Sequence, residues 1–126
     1  MTDPNAAPAA SARLTTHVLD LTSGQPARGM GIALARLDGA GSTVLVDTVT
    51  NDDGRTDAPL LVDGHLTPGR YELAFSVGAY FADGGHPSST AYLDVVPVRF
   101  GVAAGVGHLH VALLVTPWSY TTYRGS

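Results

Sequence analysis

The sequence predicts an all-β protein, built as a two-sheet β-sandwich of seven or eight strands with one short helix. Short segments alternate apolar with polar side chains, and turns rich in Gly, Pro, Asn and Asp separate them. Helical spacing of apolar residues is almost absent. Because side chains alternate between the two faces of a strand, each segment can bury one face and expose the other. Many short strands of this kind favour a sandwich.

The chain length predicts one domain. At 126 residues the chain is long enough to bury a substantial core and short for two such cores. Residues 1–12 are rich in Ala, Pro and Ser, and they have neither the basic start nor the apolar run of a signal peptide. We therefore expect a disordered leader over 1–12 and a single domain over 13–126.

Three strands are predicted in the first half of the chain. They cover residues 13–20, 31–37 and 42–50. In the second strand, Met30, Ile32 and Leu34 lie on one face and the small Ala35 lies on the other. The third strand ends at an Asn-Asp-Asp-Gly turn, whose residues tolerate a positive φ angle.

The second half begins with a looser segment, 55–68, whose two prolines discourage a long paired strand. A strand over 69–77 follows, with Tyr71, Leu73 and Phe75 on one face. A short helix fits only at 78–84. The remaining strands are predicted at 90–100, 107–115 and 119–125.

Composition argues against several kinds of partner and site. The net charge is -4 and basic residues do not cluster, which disfavours nucleic acid or an anionic membrane surface as the main partner. No apolar run approaches the roughly 18 residues that a membrane-spanning helix needs. Because the chain has no cysteine, it has no disulfide framework, thiolate nucleophile or thiolate metal site.

Histidines are the first candidates for chemistry. His17 lies in the first predicted strand, and His108 and His110 share a face of the penultimate one. A histidine within a strand is more often structural than catalytic, and His65 and His86 fall in loops where solvation is expected. His108 and His110 could chelate a metal, but no third ligand stands at a suggestive spacing. We therefore predict no metal site, and with no dinucleotide or phosphate-loop motif we predict no cofactor.

A second candidate set consists of Arg55 and the last four residues. These four are Tyr123, Arg124, Gly125 and Ser126, and they follow directly on a predicted strand, whereas most termini fray. An aromatic ring, a guanidinium and a hydroxyl would then lie at one defined spot. Packing of the tyrosine on a neighbouring strand, with Arg124 as an edge-protecting charge, is the alternative. Spacing alone does not bring the histidines, Arg55 and this tail together.

Several segments resemble the 5-hydroxyisourate hydrolases, the transthyretin-related proteins of purine breakdown. The likeness lies in 14–20 with Gly-Gln-Pro-Ala at 24–27, the Asp-Gly-Arg turn at 53–55, the segments 69–71 and 78–81, and the strand 108–114. The ending 119–126, with its Tyr-Arg-Gly-Ser, matches the one that marks the enzymes. The sequence departs from the family pattern at Leu109, where Tyr is usual, at Ala112, where Pro is usual, and at 91–93.

The resemblance implies a transthyretin-like β-sandwich and an activity. Water would add to the lactam carbonyl of 5-hydroxyisourate, and the ring would open to 2-oxo-4-hydroxy-4-carboxy-5-ureidoimidazoline in urate degradation. The catalytic residues it implies are His17, Arg55, His110 and Ser126. The substrate-binding residues it implies are His17, Arg55, Tyr123, Arg124 and Gly125.

The roles of the two histidines stay open. His110 is favoured for activating water, with His17 as its partner or as the proton donor to the leaving nitrogen. Arg55 would stabilise the developing negative charge and would hold a nearby histidine neutral and basic.

Two alternatives without catalysis also stay open. A transthyretin-like carrier shares the fold, but carriers of the family lack the counterparts of His17 and Arg55 and the Tyr-Arg-Gly-Ser ending. The other alternative is a β-sandwich module that binds a small aromatic ligand without turnover.

The resemblance further implies a homotetramer, a dimer of dimers with sites in the clefts between dimers. A cytoplasmic location is expected because neither an export signal nor a peroxisomal ending is recognised.

Overall fold

The computed structural model describes residues 12–85 and 92–125 of the chain. These residues contain seven strands of six to nine residues, two strands of two residues, one α-helix and one 3-10 turn at Asp63–His65. In chain order the strands and the helix are β1 (Arg13–Asp20), β2 (Gln25–Pro26), β3 (Gly31–Asp38), β4 (Gly41–Val49), β5 (Leu61–Val62), β6 (Gly69–Ser76), α1 (Val77–Asp83), β7 (Val95–Val102), β8 (His108–Val115) and β9 (Tyr120–Gly125).

The strands form two sheets. One sheet has the order β4-β3-β6-β7, and the other has the order β2-β1-β8-β9, with β5 pairing with the start of β1. Among the described strands, β1 and β8 form the one parallel pair. Their register runs from Arg13 opposite His108 to Asp20 opposite Val115, so the pairing covers both strands from end to end.

The core lies between the two sheets. Leu14, Thr16 and Val18 of β1 are buried, and the residues that alternate with them are only partly covered. On β6, Tyr71, Leu73 and Phe75 are fully buried, which confirms the alternation predicted for that strand. Each sheet therefore buries one face against the other sheet, and the outer face of the five-stranded sheet stays accessible.

The helix α1 is tied to the end of β1 by a partly buried polar contact. The Tyr80 hydroxyl donates to Asp20 Oδ2 at 2.8 Å, and the backbone N–H of Thr22 donates to Asp20 Oδ1 at 2.8 Å. Burial and this bond to Asp20 raise the pKa of Tyr80 to about 12. Among the described helices, none is long and apolar enough to cross a membrane.

The all-β sandwich is confirmed, and some predicted details need correction. Ala35 is buried although it pairs with Glu72 of β6, on the face opposite Leu34, and the β-bulge beside it adds a residue to β4 and none to β3. The strand predicted at 90–100 begins at Val95, and its first two residues lie outside the described part of the chain. The segment 55–68 contains the short strand β5. Residues 1–11 of the expected leader and His86 also lie outside the described residues.

Candidate functional site

Two rows of side chains cross the outer face of the five-stranded sheet. The strand register places Thr15, His110 and Gly125 in the first row. The second row consists of His17, Ala112 and Tyr123. Neighbouring strands lie about 4.8 Å apart, and residues two apart on one strand are about 6.6 Å apart. His17 and His110 are therefore diagonal neighbours on one surface, as the two catalytic candidates need to be.

A threonine hydroxyl links two histidines at this face. Thr15 Oγ1 lies 2.8 Å from Nδ1 of His110 and 2.6 Å from Nε2 of His108. The two imidazole centroids are 5.8 Å apart. Both rings are thus held by the same hydroxyl, which limits how each can rotate.

Gly125 makes room for the ring of His110. A Cβ atom at position 125 would overlap Cδ2 of His110 and would lie 3.2 Å from its Cγ. Any larger residue at this position of β9 would push the imidazole aside. The glycine is required by this close approach.

A tight turn presents Arg55 beside His17. Asn51 Oδ1 accepts hydrogen bonds from the backbone N–H groups of Asp53 at 2.9 Å and Arg55 at 3.2 Å. The turn is fixed to β1 because the N–H of Val18 donates to the carbonyl of Gly54 at 2.8 Å. Gly54 itself has a φ of 74°, and a Cβ there would collide with the carbonyl oxygen of Val18. The local sequence therefore determines where Arg55 leaves the backbone.

Burial and a nearby cation keep the imidazoles neutral. Desolvation lowers the pKa of His17 below its ordinary value, and the charge of Arg55 lowers it further, while a backbone hydrogen bond with Asp53 and the charge of its carboxylate raise it in part. Desolvation is also the largest cause of the lowered pKa of His110, and the charges of Arg55, His108 and His17 lower it further. A neutral imidazole can accept a proton, and an adjacent guanidinium can stabilise an oxyanion. The arrangement suits the addition of water to a carbonyl group.

Two cavities border different parts of the molecule. One of about 230 Å³ opens beside the first row and is lined by residues that include Arg13, Thr15, Arg55 and His108. A larger one of about 580 Å³ is lined around Tyr80 and shares no residue with the two rows. We place the site beside the smaller cavity, because Thr15, Arg55 and His108 line it and Thr15 lies in the row of His110. Among the described residues, no three His, Asp or Glu side chains are grouped as metal ligands would be.

The tail residues are placed on different faces of β9. Tyr123 stands on the outer face in the row of His17, and it is 54% exposed. Arg124 pairs with the inward-facing Val111, and it lines a pocket between β7 and β9 that Tyr123 also borders. Ser126 lies outside the described residues. The structure therefore brings His17, Arg55, His110, Tyr123 and Gly125 together on one side, and it places Arg124 on the other.

Thr15 and His108 were not among the site residues predicted from the sequence. The signal available was the spacing of two between Thr15 and His17, and between His108 and His110, which puts each pair on one strand face. That spacing does not say which strands are neighbours.

Comparisons of sequence and of structure with known proteins point to the same family. Residues 14–125 match the model of the HIUase/Transthyretin family. The chain is 51% identical to a 5-hydroxyisourate hydrolase of Deinococcus radiodurans over 113 residues, which cover 90% of this chain and 95% of that protein. It is 52% identical to a 5-hydroxyisourate hydrolase of Mesorhizobium japonicum over 115 residues, covering 90% and 92%.

Solved structures with this fold include two enzymes and a transthyretin. The fold matches a 5-hydroxyisourate hydrolase of Klebsiella pneumoniae with a TM-score of 0.75 and 34% identity, covering 91% of this chain and 94% of that one. It matches sea bream transthyretin in complex with thyroxine with a TM-score of 0.82 and 28% identity, covering 90% and 95%. An (S)-allantoin synthase gives a TM-score of 0.85 and 46% identity over 93% of this chain, which spans only 44% of the synthase chain.

Proposed function

Since the chain belongs to the HIUase/Transthyretin family, we infer that it is an enzyme, a 5-hydroxyisourate hydrolase of urate degradation. Water adds to the lactam carbonyl of 5-hydroxyisourate, the carbon–nitrogen bond breaks, and 2-oxo-4-hydroxy-4-carboxy-5-ureidoimidazoline is released. The observation that carries this function is the convergence of two imidazoles of lowered pKa and Arg55 on one sheet face.

The proposed mechanism assigns a role to each of these groups. Nε2 of His110 takes a proton from water as its oxygen adds to the carbonyl carbon. Arg55 stabilises the oxyanion of the tetrahedral intermediate. His17 donates a proton to the leaving nitrogen or assists His110. The diagonal spacing of His17 and His110 leaves room for a water and the reacting carbonyl between them.

The tail residues have proposed roles in holding the substrate. Tyr123 offers an exposed ring on the same face as His17, so a flat heterocycle can stack against it. Gly125 admits the His110 ring. Substrate contact by Arg124 and catalysis by Ser126 stay predictions, since Arg124 lies on the other face of β9 and Ser126 lies outside the described residues.

The sequence identities favour a hydrolase over a carrier. Identity to the two bacterial hydrolases is 51% and 52%, against 28% to the transthyretin structure. A carrier has no need for a base beside a guanidinium. A binding module without turnover would leave the same groups unused.

The decisive experiment is a turnover assay on freshly generated 5-hydroxyisourate. We expect its ultraviolet absorbance to disappear faster with the protein than by spontaneous decay. Arg55→Ala should lower kcat/KM by about 100-fold or more, because an oxyanion partner is lost. Arg70→Ala, at an exposed arginine of the opposite sheet, is the matched control and should keep full activity. Tight binding of the substrate with no acceleration would establish the binding module instead.

We propose a homotetramer, arranged as a dimer of dimers, in the cytoplasm. Both β7 and β9 are edge strands in the described sheets, and edges invite pairing with a second copy. Large aromatic side chains are exposed beside β9, at Trp118 (64%), Tyr120 (45%) and Tyr123 (54%). A covering subunit would close the outer face over the two rows of side chains.

A further inference from the structure

The mechanism above leaves Thr15 and His108 without a role. We propose that Thr15 and His108 are positioning residues that set the proton position on His110 and make its Nε2 the base. The proposal rests on the hydrolase function inferred above. It concerns a chain of three side chains: His110, Thr15 and His108.

The geometry requires the hydroxyl to serve both rings. Thr15 Oγ1 is within hydrogen-bond distance of Nδ1 of His110, at 2.8 Å, and of Nε2 of His108, at 2.6 Å. A hydroxyl has one proton, so it donates to one ring and accepts from the other. The proton positions on the two imidazoles are therefore coupled through Thr15.

Only one of the two arrangements makes His110 a base toward substrate. In it, Nδ1–H of His110 donates to Thr15, and the Thr15 hydroxyl donates to Nε2 of His108. Nε2 of His110 then carries a lone pair. In the opposite arrangement the proton of His110 sits on Nε2, which can donate a hydrogen bond but cannot accept a proton from water.

The same chain can move one proton during the reaction. As Nε2 of His110 takes a proton from water, the Nδ1 proton passes to Thr15 Oγ1 and the hydroxyl proton passes to Nε2 of His108. The positive charge then rests on His108, and His110 is neutral with a proton on Nε2. When that proton goes to the leaving nitrogen, with His17 assisting the transfer, the extra proton of His108 returns through Thr15 to Nδ1. The net result is transfer of one water proton to the leaving nitrogen.

The surroundings keep both rings neutral at rest, as this chain needs. Burial lowers the pKa of His108, and the charge of Arg13 on β1 lowers it further. The groups facing His110 are Arg55 from the turn, His17 from β1 and His108 from its own strand. Asp53 of the turn acts on His17, and Asp57 borders the cavity beside Thr15.

The partners of Thr15 differ from those of a structural threonine in the same sheet. Thr122 on β9 donates to the carbonyl of Ala112 at 2.8 Å, which ties one strand to the next. Thr15 has an imidazole nitrogen as each of its partners. Valine at either position removes one partly buried hydroxyl, but only the hydroxyl of Thr15 contacts histidines.

The experiment compares Thr15→Val, Thr15→Ser and the control Thr122→Val in steady-state kinetics across pH. Circular dichroism confirms that each variant is folded. We expect Thr15→Val to lower kcat by about 10-fold with KM within about twofold, and to shift the acid limb of the kcat profile, because His110 loses the partner that orients it. Thr15→Ser should recover most of the activity, and Thr122→Val should have the wild-type profile.

A spectroscopic measurement separates this proposal from the assignment of function. In protein labelled with ¹⁵N-histidine, NMR should show His110 protonated at Nδ1 in the resting wild type and a mixture of tautomers in Thr15→Val. Unchanged kcat and pH profile in Thr15→Val, or a resting proton on Nε2 of His110, would overturn the proposal. Wild-type protein that fails to accelerate substrate loss would overturn the hydrolase function, and the NMR result would still decide the proton position.

Discussion

At the scale of single residues, the surroundings of three histidines favour the neutral form of each. Burial is the largest cause of the lowered pKa of His17, His108 and His110, and a neighbouring arginine adds to it in each case. Such a site costs stability in acid, because the folded state resists the protons that the unfolded chain accepts.

The resulting pH dependence has a definite sign. Unfolded histidine titrates near pH 6.5, and the folded pKa values lie below that. Between the folded value and about 6.5 the unfolded chain binds more protons, so the free energy of unfolding falls as the pH decreases through this window. Urea unfolding at pH 7.5 and pH 5.5 should show this loss. The loss should be smaller in His110→Gln and unchanged in His65→Gln, whose histidine is exposed. Equal losses in all three proteins would contradict the assignment.

The sequence identifies some site residues and misses others for a physical reason. His17, Arg55 and His110 are predicted through a resemblance that spans the chain, and the structure places them on one side of the sheet. Thr15 and His108 come into contact, as their proposed role requires, only because β1 and β8 pair in parallel with one particular register. No local pattern encodes that register, since it depends on the packing of the whole sandwich.

At the scale of elements, the turn that carries Arg55 depends on one glycine. Gly54 combines a φ of 74° with a position where a Cβ would meet the carbonyl of Val18 and would lie 3.2 Å from the Pro26 side chain. The turn is therefore both strained and crowded for any other residue. Its position next to His17 follows from these two constraints.

Gly54→Ala should displace the turn. We expect a loss of about 2 kcal/mol or more in the free energy of unfolding, from left-handed strain plus the collision. We also expect kcat/KM to fall by at least about 10-fold as Arg55 moves. Gly39→Ala is the matched control, because Gly39 has a φ of 57° but open space around it. Urea unfolding and the absorbance assay measure the two effects. A Gly54→Ala protein no worse than Gly39→Ala would refute this reading of the turn.

Strand positions are predictable where alternation is strong. Tyr71, Leu73 and Phe75 occupy the buried face, as a period of two predicts. The β-bulge in β4 is not predictable in this way, because its extra residue, Leu45, has no distinctive mark in the sequence. The two-residue strands β2 and β5 are too short for any period to reveal.

At the scale of the whole molecule, assembly is the expected way to cover the open edges and the outer face. Light scattering should give a mass of about four times 13.0 kDa at micromolar concentration. Dilution should lower the specific activity if the sites lie between dimers, because dissociation would open them. A 13.0 kDa monomer with full activity would contradict the tetramer.

The parallel pairing of β1 with β8 has a consequence for how the protein folds. Thr15 is separated from its two histidine partners by 93 and 95 residues, so the site is built from contacts of very high contact order. Long loops must close before such contacts form, which makes them late and slow to appear. A chain still being synthesised can complete the β3–β4 hairpin early, but it has no catalytic surface until its penultimate strand arrives. Activity would thus report completion of the fold, and a refolding chain should regain turnover only in its final kinetic phase.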